Sequence, residues 1–184
     1  QSNGIISIHG PIAKHFAEEG ASDKAVRYTK TVLTEGSIGY EISETKHSAL
    51  NREGKAFGKL FGGNLSVFCG ILGSKYAVIP GDGILVIEDI GEEPYRVDRM
   101  MYQLKLAGVF DRIKGLIVGH FTDYVEDKQM YMPLYESILA AVSTYAFPVC
   151  FGFPVGHTQE NYPLLMGAET ALTVTKERVF FTQE

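Results

Sequence analysis

The hydrophobic pattern is most regular in the middle of the chain, where short apolar runs alternate with amphipathic segments. Apolar runs bounded by glycine or polar residues are typical of buried strands, and an apolar stripe that recurs every three or four residues indicates a helix. The pattern predicts strands over 84–88, 116–118 and 149–151 and helices over 94–107 and 133–145. Since right-handed crossovers would make these strands parallel, we predict an α/β fold with a largely parallel sheet.

The pattern on either side of this region is less regular. It predicts a short buried strand over 5–9, a helix over 22–33 capped by Ser22, a half-solvated strand over 38–42 and a glycine-interrupted strand over 55–61. The end of the chain predicts a β-hairpin formed by 170–174 and 178–182. Because the hydrophobic period changes from helical to alternating near Glu35, we place a domain boundary there.

A glycine pair stands before a short apolar helix, and Gly62, Gly63 and Asn64 predict a tight turn at this point. Backbone approach is unhindered at glycine, and the first turn of a helix has unpaired N–H groups that can bind an anion or a carbonyl. The alternative is that the turn only connects two elements. It is not a Walker loop, because the required lysine and hydroxyl spacing is missing.

Composition narrows the class of protein. The 184 residues are 45% hydrophobic with a net charge of -5, which fits a globular α/β protein. Basic residues are scattered, so neither nucleic acid nor an anionic membrane is expected as a partner, and the apolar stretches are too short to span a bilayer. Cys69 and Cys150 lie in apolar surroundings without metal-like spacing, which favours free buried thiols over a disulfide or a reactive thiol.

Polar side chains follow the predicted parallel strands at the points where the strands end. Glu88 and Asp89 end the first strand, His120 follows the second, and His157 lies in a glycine- and proline-containing loop after the third. The carboxyl ends of parallel strands meet at one edge, where open sheets bind ligands. A carboxylate that accepts from one ring nitrogen orients an imidazole, so we predict that Glu88 pairs with His157.

Other interpretations of these residues stay open. His157 could bond only to backbone, and Glu88 could form an ion pair with Arg96 or Arg99. His120 could bind a metal with Asp123 or His157, but three ligands at a defined spacing are not visible, and no metal or cofactor is expected. The remaining histidines fit structural or surface positions; these are His9, which fits a structural hydrogen bond, and His15 and His47, which fit the surface.

A nucleophile is missing from this pattern. No G-x-S-x-G elbow occurs, and Ser66 and Cys69 belong to the predicted apolar helix without an exposed elbow. A base and its orienting acid without a nucleophile indicate either a different chemistry or an incomplete protein.

Several long motifs resemble the C-terminal half of the LD-carboxypeptidase family, the serine peptidases that include microcin immunity proteins. They are GGNLSVFCGILGSKY, ILVIEDIGEEPYRVDRMMYQLKLAG, GLIVGHF, FPVCFGFPVGHT and PLLMGAETALTV, and IISIHGP resembles the stretch shortly after the family's nucleophile. The resemblance covers nearly the whole chain. It implies that 35–184 form the family's swivelling C-terminal β/α domain and that 1–34 are a linker and remnant of an N-terminal flavodoxin-like domain.

The resemblance also implies roles for individual residues. Glu88 corresponds to the glutamate of a Ser-His-Glu triad, His157 to the general base, and Gly62, Gly63 and Asn64 to the glycine loop bordering the substrate cleft. The family's serine lies in a GYSD-like motif of the N-terminal domain, and this sequence has no such motif. We therefore expect this chain alone to be inactive and to depend on the missing domain.

The function implied by the resemblance is removal of the terminal D-alanine from murein tetrapeptide, an L,D cleavage in cytoplasmic cell-wall recycling, by a protein expected to be a homodimer. One alternative is a microcin-immunity-type peptidase. Another is a non-catalytic module that binds peptides or murein fragments and lacks the nucleophile.

Overall fold

The computed structural model describes residues 4–43 and 45–184 and contains a seven-stranded sheet with helices packed on both faces. The strands are β1 Ser7–His9, β2 Ile38–Ile42, β3 Gly54–Asn64, β4 Gly83–Ile90, β5 Ile113–Thr122, β6 Val149–Phe151, β7 Leu164–Met166, β8 Glu169–Val174 and β9 Val179–Gln183. The helices are α1 Ala13–Glu19, α2 Lys24–Glu35, α3 Leu65–Ile71, α4 Pro94–Leu106 and α5 Leu134–Ala141, with a 3₁₀ turn at Ser48–Leu50.

The large sheet has the order β2-β9-β8-β3-β4-β5-β6 and combines a parallel with an antiparallel part. Strands β3 to β6 are parallel, which confirms the α/β fold and the predicted parallel arrangement of β4, β5 and β6. The predicted hairpin is also present, because β8 and β9 pair in antiparallel fashion, and β9 in turn pairs with β2. Strand β3 joins the two parts, since it pairs with β8 along its first half and with β4 along its second.

Strand β4 is the centre of the parallel part and is buried on both faces. Its side chains alternate, as they do in any strand, so that Leu85 and Ile87 pack in a core with α3, α4 and α5. Ile84 and Val86 point to the opposite face and pack in a second core with α2 and the segment 153–168. We call these the helix face and the loop face of the sheet.

The start of the described chain differs from the prediction. Strand β1 pairs with β7, outside the large sheet, and Ile5 and Ile6 before it are exposed. The expected buried strand over 5–9 is therefore wrong in its burial, because an apolar run looks the same in sequence whether or not another element covers it. The N-cap of α2 is Asp23 rather than Ser22, and its carboxylate accepts a hydrogen bond from the backbone N–H of Val26.

The glycine pair before α3 belongs to a strand and not to the tight turn that we predicted. Gly62 has φ +108 and pairs with Val86 in the parallel ladder of β3 and β4. A Cβ atom at Gly62 would lie 2.2 Å from the carbonyl oxygen of Val86, so only glycine allows this approach. The reason for the glycine is a close contact between strands.

Both cysteines, Cys69 and Cys150, are free and buried, as predicted. None of the helices within the described ranges combines the length and apolar character needed to cross a membrane.

Candidate active site

Glu88 lies at the carboxyl end of β4, faces the loop face and is completely buried. Two glycines leave room for it. A Cβ atom at Gly156 would lie 3.0 Å from Oε2 of Glu88, and one at Gly119 would lie 2.5 Å from the carbonyl oxygen of Val155 and 3.2 Å from Cβ of Glu88. Because positions 119 and 156 are glycines, β5 and the loop after β6 can pack closely around the Glu88 carboxylate.

The side chain that meets this carboxylate is His157. Its Nδ1 lies 2.9 Å from Oε2 of Glu88, and the imidazole is half exposed whereas the carboxylate is 1% exposed. With Glu88 ionised, Nδ1 carries the proton and donates it to Oε2, which leaves the Nε2 lone pair of the neutral ring free. This is the arrangement of a general base held by an acid, and the structure brings together the two residues that the sequence paired.

The loop that carries His157 is held by short-range hydrogen bonds. The backbone N–H of Gly156 donates to Oδ1 of Asn161 at 3.2 Å, and the N–H of Thr158 donates to the carbonyl of Gly156 at 3.0 Å. Gly156 has φ +124, a backbone conformation that residues with a side chain rarely adopt. The histidine is therefore presented by a fixed turn of the backbone.

A cleft of about 750 Å³ opens at Glu88 and His157. Its opposite wall comes from the end of β1 and from α1, and includes His9, Lys14 and His15. Burial lowers the pKa of His9; the charge of Glu88 raises it in part and the charge of His157 lowers it further. The sequence around His9 predicts a structural hydrogen bond and not a place in this cleft; the HGP motif that contains His9 is the signal that could have indicated one.

Asp89, the neighbour of Glu88, points to the helix face and is surrounded by donors. Its carboxylate accepts hydrogen bonds from Nδ2 of Asn64 at 2.7 Å, from the N–H of Ser66 at 2.8 Å and from the N–H of Ile90 at 2.9 Å. The hydroxyl of Ser66 lies 3.5 Å away. Asp89 thus fixes the junction between β3, β4 and α3.

The same contacts change the interpretation of Gly62, Gly63 and Asn64. Oδ1 of Asn64 accepts from the N–H of Val67 at 3.1 Å and from the hydroxyl of Ser66 at 2.8 Å. The N–H groups of Ser66 and Val67 are therefore occupied by protein side chains, and the expectation that they are free for a ligand is wrong. That these three residues contact substrate stays a prediction.

The other candidates are placed elsewhere or have different partners. Arg96 pairs with Glu92 at 3.8 Å, and the guanidinium of Arg99 lies over the ring of Tyr95, so neither is the partner of Glu88. His120 is not among the residues lining the cleft, and burial lowers its pKa while Glu160 raises it in part.

The two histidines expected at the surface have defined partners. The ring of His47 stacks on Tyr135 at 3.8 Å between centroids, and His15 bonds to Asp23 at 3.1 Å. Within residues 4–43 and 45–184, no three His, Cys, Asp or Glu side chains are arranged to hold a metal ion.

Comparison with known proteins identifies the family that this chain resembles. A family model described as the LD-carboxypeptidase C-terminal domain matches residues 57–172. The "probable murein peptide carboxypeptidase" of Bacillus subtilis (strain 168) is 30% identical over 96% of this chain and 56% of its own length. The murein tetrapeptide carboxypeptidase of Pseudomonas aeruginosa is 26% identical over 86% of this chain and 53% of its own length.

Solved structures agree with these relatives. The crystal structure of muramoyltetrapeptide carboxypeptidase from Oxalobacter formigenes matches 99% of this chain and 62% of its own, with a TM-score of 0.86 and 25% identity. The microcin C7 self-immunity protein MccF matches 98% of this chain with a TM-score of 0.74 and 23% identity, a likeness of fold. The chain spans about half the length of the curated relatives it matches.

Proposed function

The chain belongs to the LD-carboxypeptidase family, and we propose that it is the C-terminal portion of a serine carboxypeptidase that cleaves an L,D peptide bond. Family membership supports a peptidase function in general. The observation that carries the finer proposal is the 2.9 Å contact between Nδ1 of His157 and Oε2 of the buried Glu88. In this proposal residues 35–184 are the C-terminal domain, and residues 1–34 belong to the N-terminal domain and linker.

The reaction is acyl transfer. A serine supplied by sequence upstream of residue 1 attacks the scissile carbonyl, and Nε2 of His157 takes the proton of its hydroxyl. Glu88 holds the ring in the required tautomer and stabilises the imidazolium that forms. His157 then gives the proton to the leaving amine, and a water molecule activated by the same base hydrolyses the acyl-enzyme. On this chain alone no turnover is expected, because the attacking hydroxyl is missing.

The substrate that we propose is the murein tetrapeptide, with the terminal D-alanine as leaving group. The relatives named for murein peptides support this choice. We further propose that the protein acts in the cytoplasm and forms a homodimer.

A second candidate function is that of a microcin-immunity-type peptidase. MccF of Escherichia coli is 27% identical over 89% of this chain, and its structures include a complex with aspartyl sulfamoyl adenosine. In this alternative the cleft receives an aminoacyl nucleotide. A third possibility to be tested is a module that binds a peptide without cleaving it.

The deciding experiment uses the longest product of the gene and measures release of D-alanine from murein tetrapeptide, beside hydrolysis of aspartyl sulfamoyl adenosine. We expect D-alanine release, and its loss in Glu88→Gln and His157→Gln. His15→Gln is the matched control, since this histidine borders the cleft but is bonded to Asp23. Cleavage of the nucleotide alone would favour the second candidate, and binding without any cleavage would favour the third. Near-normal activity in either variant at Glu88 or His157 would refute the triad.

A further inference from the structure

His9 is held in the cleft by the pairing of β1 with β7. In this antiparallel pair His9 stands opposite Leu164, one residue after Pro163. The next residue, Gly10, lies so close to Pro163 that a Cβ atom there would be 3.0 Å from Cα of Pro163. The backbone around His9 is therefore fixed on the loop face, and this fixes where its ring enters the cleft.

The ring of His9 lies over the end of β3. Its Nδ1 is 3.6 Å from the position that a Cβ atom of Gly63 would occupy, so the missing side chain at Gly63 leaves ordinary van der Waals space for the imidazole. The following residue, Asn64, stands opposite Glu88 in the ladder of β3 and β4. His9, Glu88 and His157 consequently line the same cleft.

The carboxylate of Glu88 can accept further hydrogen bonds. His157 bonds to Oε2 of Glu88, and Oε1 is buried without a hydrogen-bond partner among the described residues. Burial lowers the pKa of His9, the negative charge of Glu88 raises it in part, and the positive charge of His157 lowers it again. Beyond burial, both proposed catalytic residues therefore act on the charge state of His9.

Other titratable groups lie near His9, on α1 and on the opposite side of its ring. From α1, Lys14 pairs with Glu18 at 3.6 Å, and His15 bonds to Asp23 at 3.1 Å. Glu19 also borders the cleft, and the phenol of Tyr76 borders the other side of His9.

We propose that His9 is a positioning residue of the candidate active site, a second imidazole that shares the buried carboxylate of Glu88 with His157. The carboxylate then supports a positive charge on one ring at a time. A neutral His9 leaves the full charge of Glu88 to stabilise His157 when that ring takes up the proton of the nucleophile. A charged His9 would oppose the same step. The catalytic part of this inference rests on the proposed function, whereas the sharing of the carboxylate does not.

The sharing is tested in the 184-residue chain without any turnover, by NMR titration of the His9 ring. Glu88→Gln is expected to lower the pKa of His9 further, because it removes the charge that raises it. His157→Gln is expected to raise the pKa of His9, because it removes the competing positive charge. His15→Gln, a change in the same cleft, is expected to leave it unaltered. If Glu88→Gln does not fold, the variant at the half-exposed His157 still decides. An unchanged His9 titration in His157→Gln would overturn the proposal.

The effect on catalysis is tested in the longest gene product with a matched pair of variants. His9→Gln removes the second imidazole without adding a charge beside Glu88, and is expected to lower kcat/KM by less than His9→Lys does. His9→Lys adds a permanent charge beside Glu88 that competes with His157, and is expected to lower kcat/KM about tenfold or more. Equal activity of both variants, with Glu88→Gln and His157→Gln inactive, would refute the role of His9 and leave the proposed triad standing. If no variant and no wild-type protein releases D-alanine, the proposed function fails while the titration result still stands.

Discussion

Glu88 and Asp89 are neighbours on β4, yet the two faces of the sheet use their carboxylates differently. On the helix face Asp89 accepts three close hydrogen bonds, two of them from backbone N–H groups and one from Asn64. On the loop face Glu88 has one side-chain partner, His157, and one oxygen without any described partner. Burying a carboxylate costs free energy unless it accepts hydrogen bonds. The fold of the described residues supplies those bonds for Asp89, but it does not supply them for Oε1 of Glu88.

The difference separates a structural site from a chemical one at adjacent positions. Asp89 ties the start of α3 to the end of β4, and its bonds are complete without a ligand. Glu88 is enclosed by the close approach of Gly119 and Gly156, and the one described side chain that bonds to it is a half-exposed histidine at a cleft. Neutralising each carboxylate should therefore affect different properties of the protein.

The largest expected effect is on catalysis and comes from Glu88→Gln in the longest gene product. The amide can neither hold the tautomer of His157 nor stabilise its charged form, so we expect kcat to fall about 10³-fold or more. Asp89→Asn should reduce kcat far less, because Asp89 faces away from the cleft. Steady-state D-alanine release from murein tetrapeptide measures both. Equal losses in the two variants would remove the distinction between the faces.

The next largest effect is on stability, where we expect Asp89→Asn to cost more than Glu88→Gln. Asp89→Asn replaces a charged acceptor of several hydrogen bonds and is expected to lower the free energy of unfolding by about 3 kcal/mol. Glu88→Gln should cost less, since it weakens one bond to a half-exposed ring. Urea denaturation of the chain at pH 7 measures this, with Asp82→Asn as control because Asp82 forms an exposed ion pair with Lys114. A larger loss in Glu88→Gln than in Asp89→Asn would contradict the assignment.

A third test concerns the backbone that holds Glu88. Gly156→Ala places a Cβ atom 3.0 Å from both Oε2 of Glu88 and the carbonyl of His120, at φ +124. We expect a loss of about 2 kcal/mol in stability and a change in the NMR signals of the His157 ring. Gly36→Ala is the matched control, because Gly36 has φ +70 but no atom within 4 Å of its Cβ position, and only the conformational cost of about 1 kcal/mol applies. The same His157 shift in both variants would exclude a specific role for Gly156.

The sequence was sufficient to predict the parallel part of the fold and the meeting of Glu88 with His157. Continuous apolar runs define β4, β5 and β6, and once these strands are parallel their ends must share an edge. The shared edge of parallel strands does not show that Glu88 and Asp89 have different surroundings. The donors around Asp89 come from Asn64 and α3, which belong to another segment of the chain.

Other features depend on contacts that local pattern does not contain. The glycines at 62 and 63 were predicted as a turn, because the sequence does not reveal that β4 passes beside Gly62. His9 reaches the cleft only through the pairing of β1 with β7, two strands at opposite ends of the chain. A pairing so distant in sequence, made by strands of three residues each, leaves no periodic signal.

The smallest expected effect uses Cys69 as a reporter of charge on the helix face. Burial, and secondarily the charge of Asp89, raises the pKa of the Cys69 thiol to about 11, whereas burial alone raises that of Cys150 to about 12. Asp89→Asn removes the nearby negative charge, so the pKa of Cys69 should fall and its thiolate fraction at pH 9 should rise. Alkylation at pH 9, followed by peptide mass spectrometry, should then be modestly faster at Cys69 and unchanged at Cys150, under conditions where both variants remain folded. Glu88→Gln, on the other face, should leave both rates as they are, and an equal acceleration of Cys69 by Glu88→Gln would mean that the two faces are not electrically distinct.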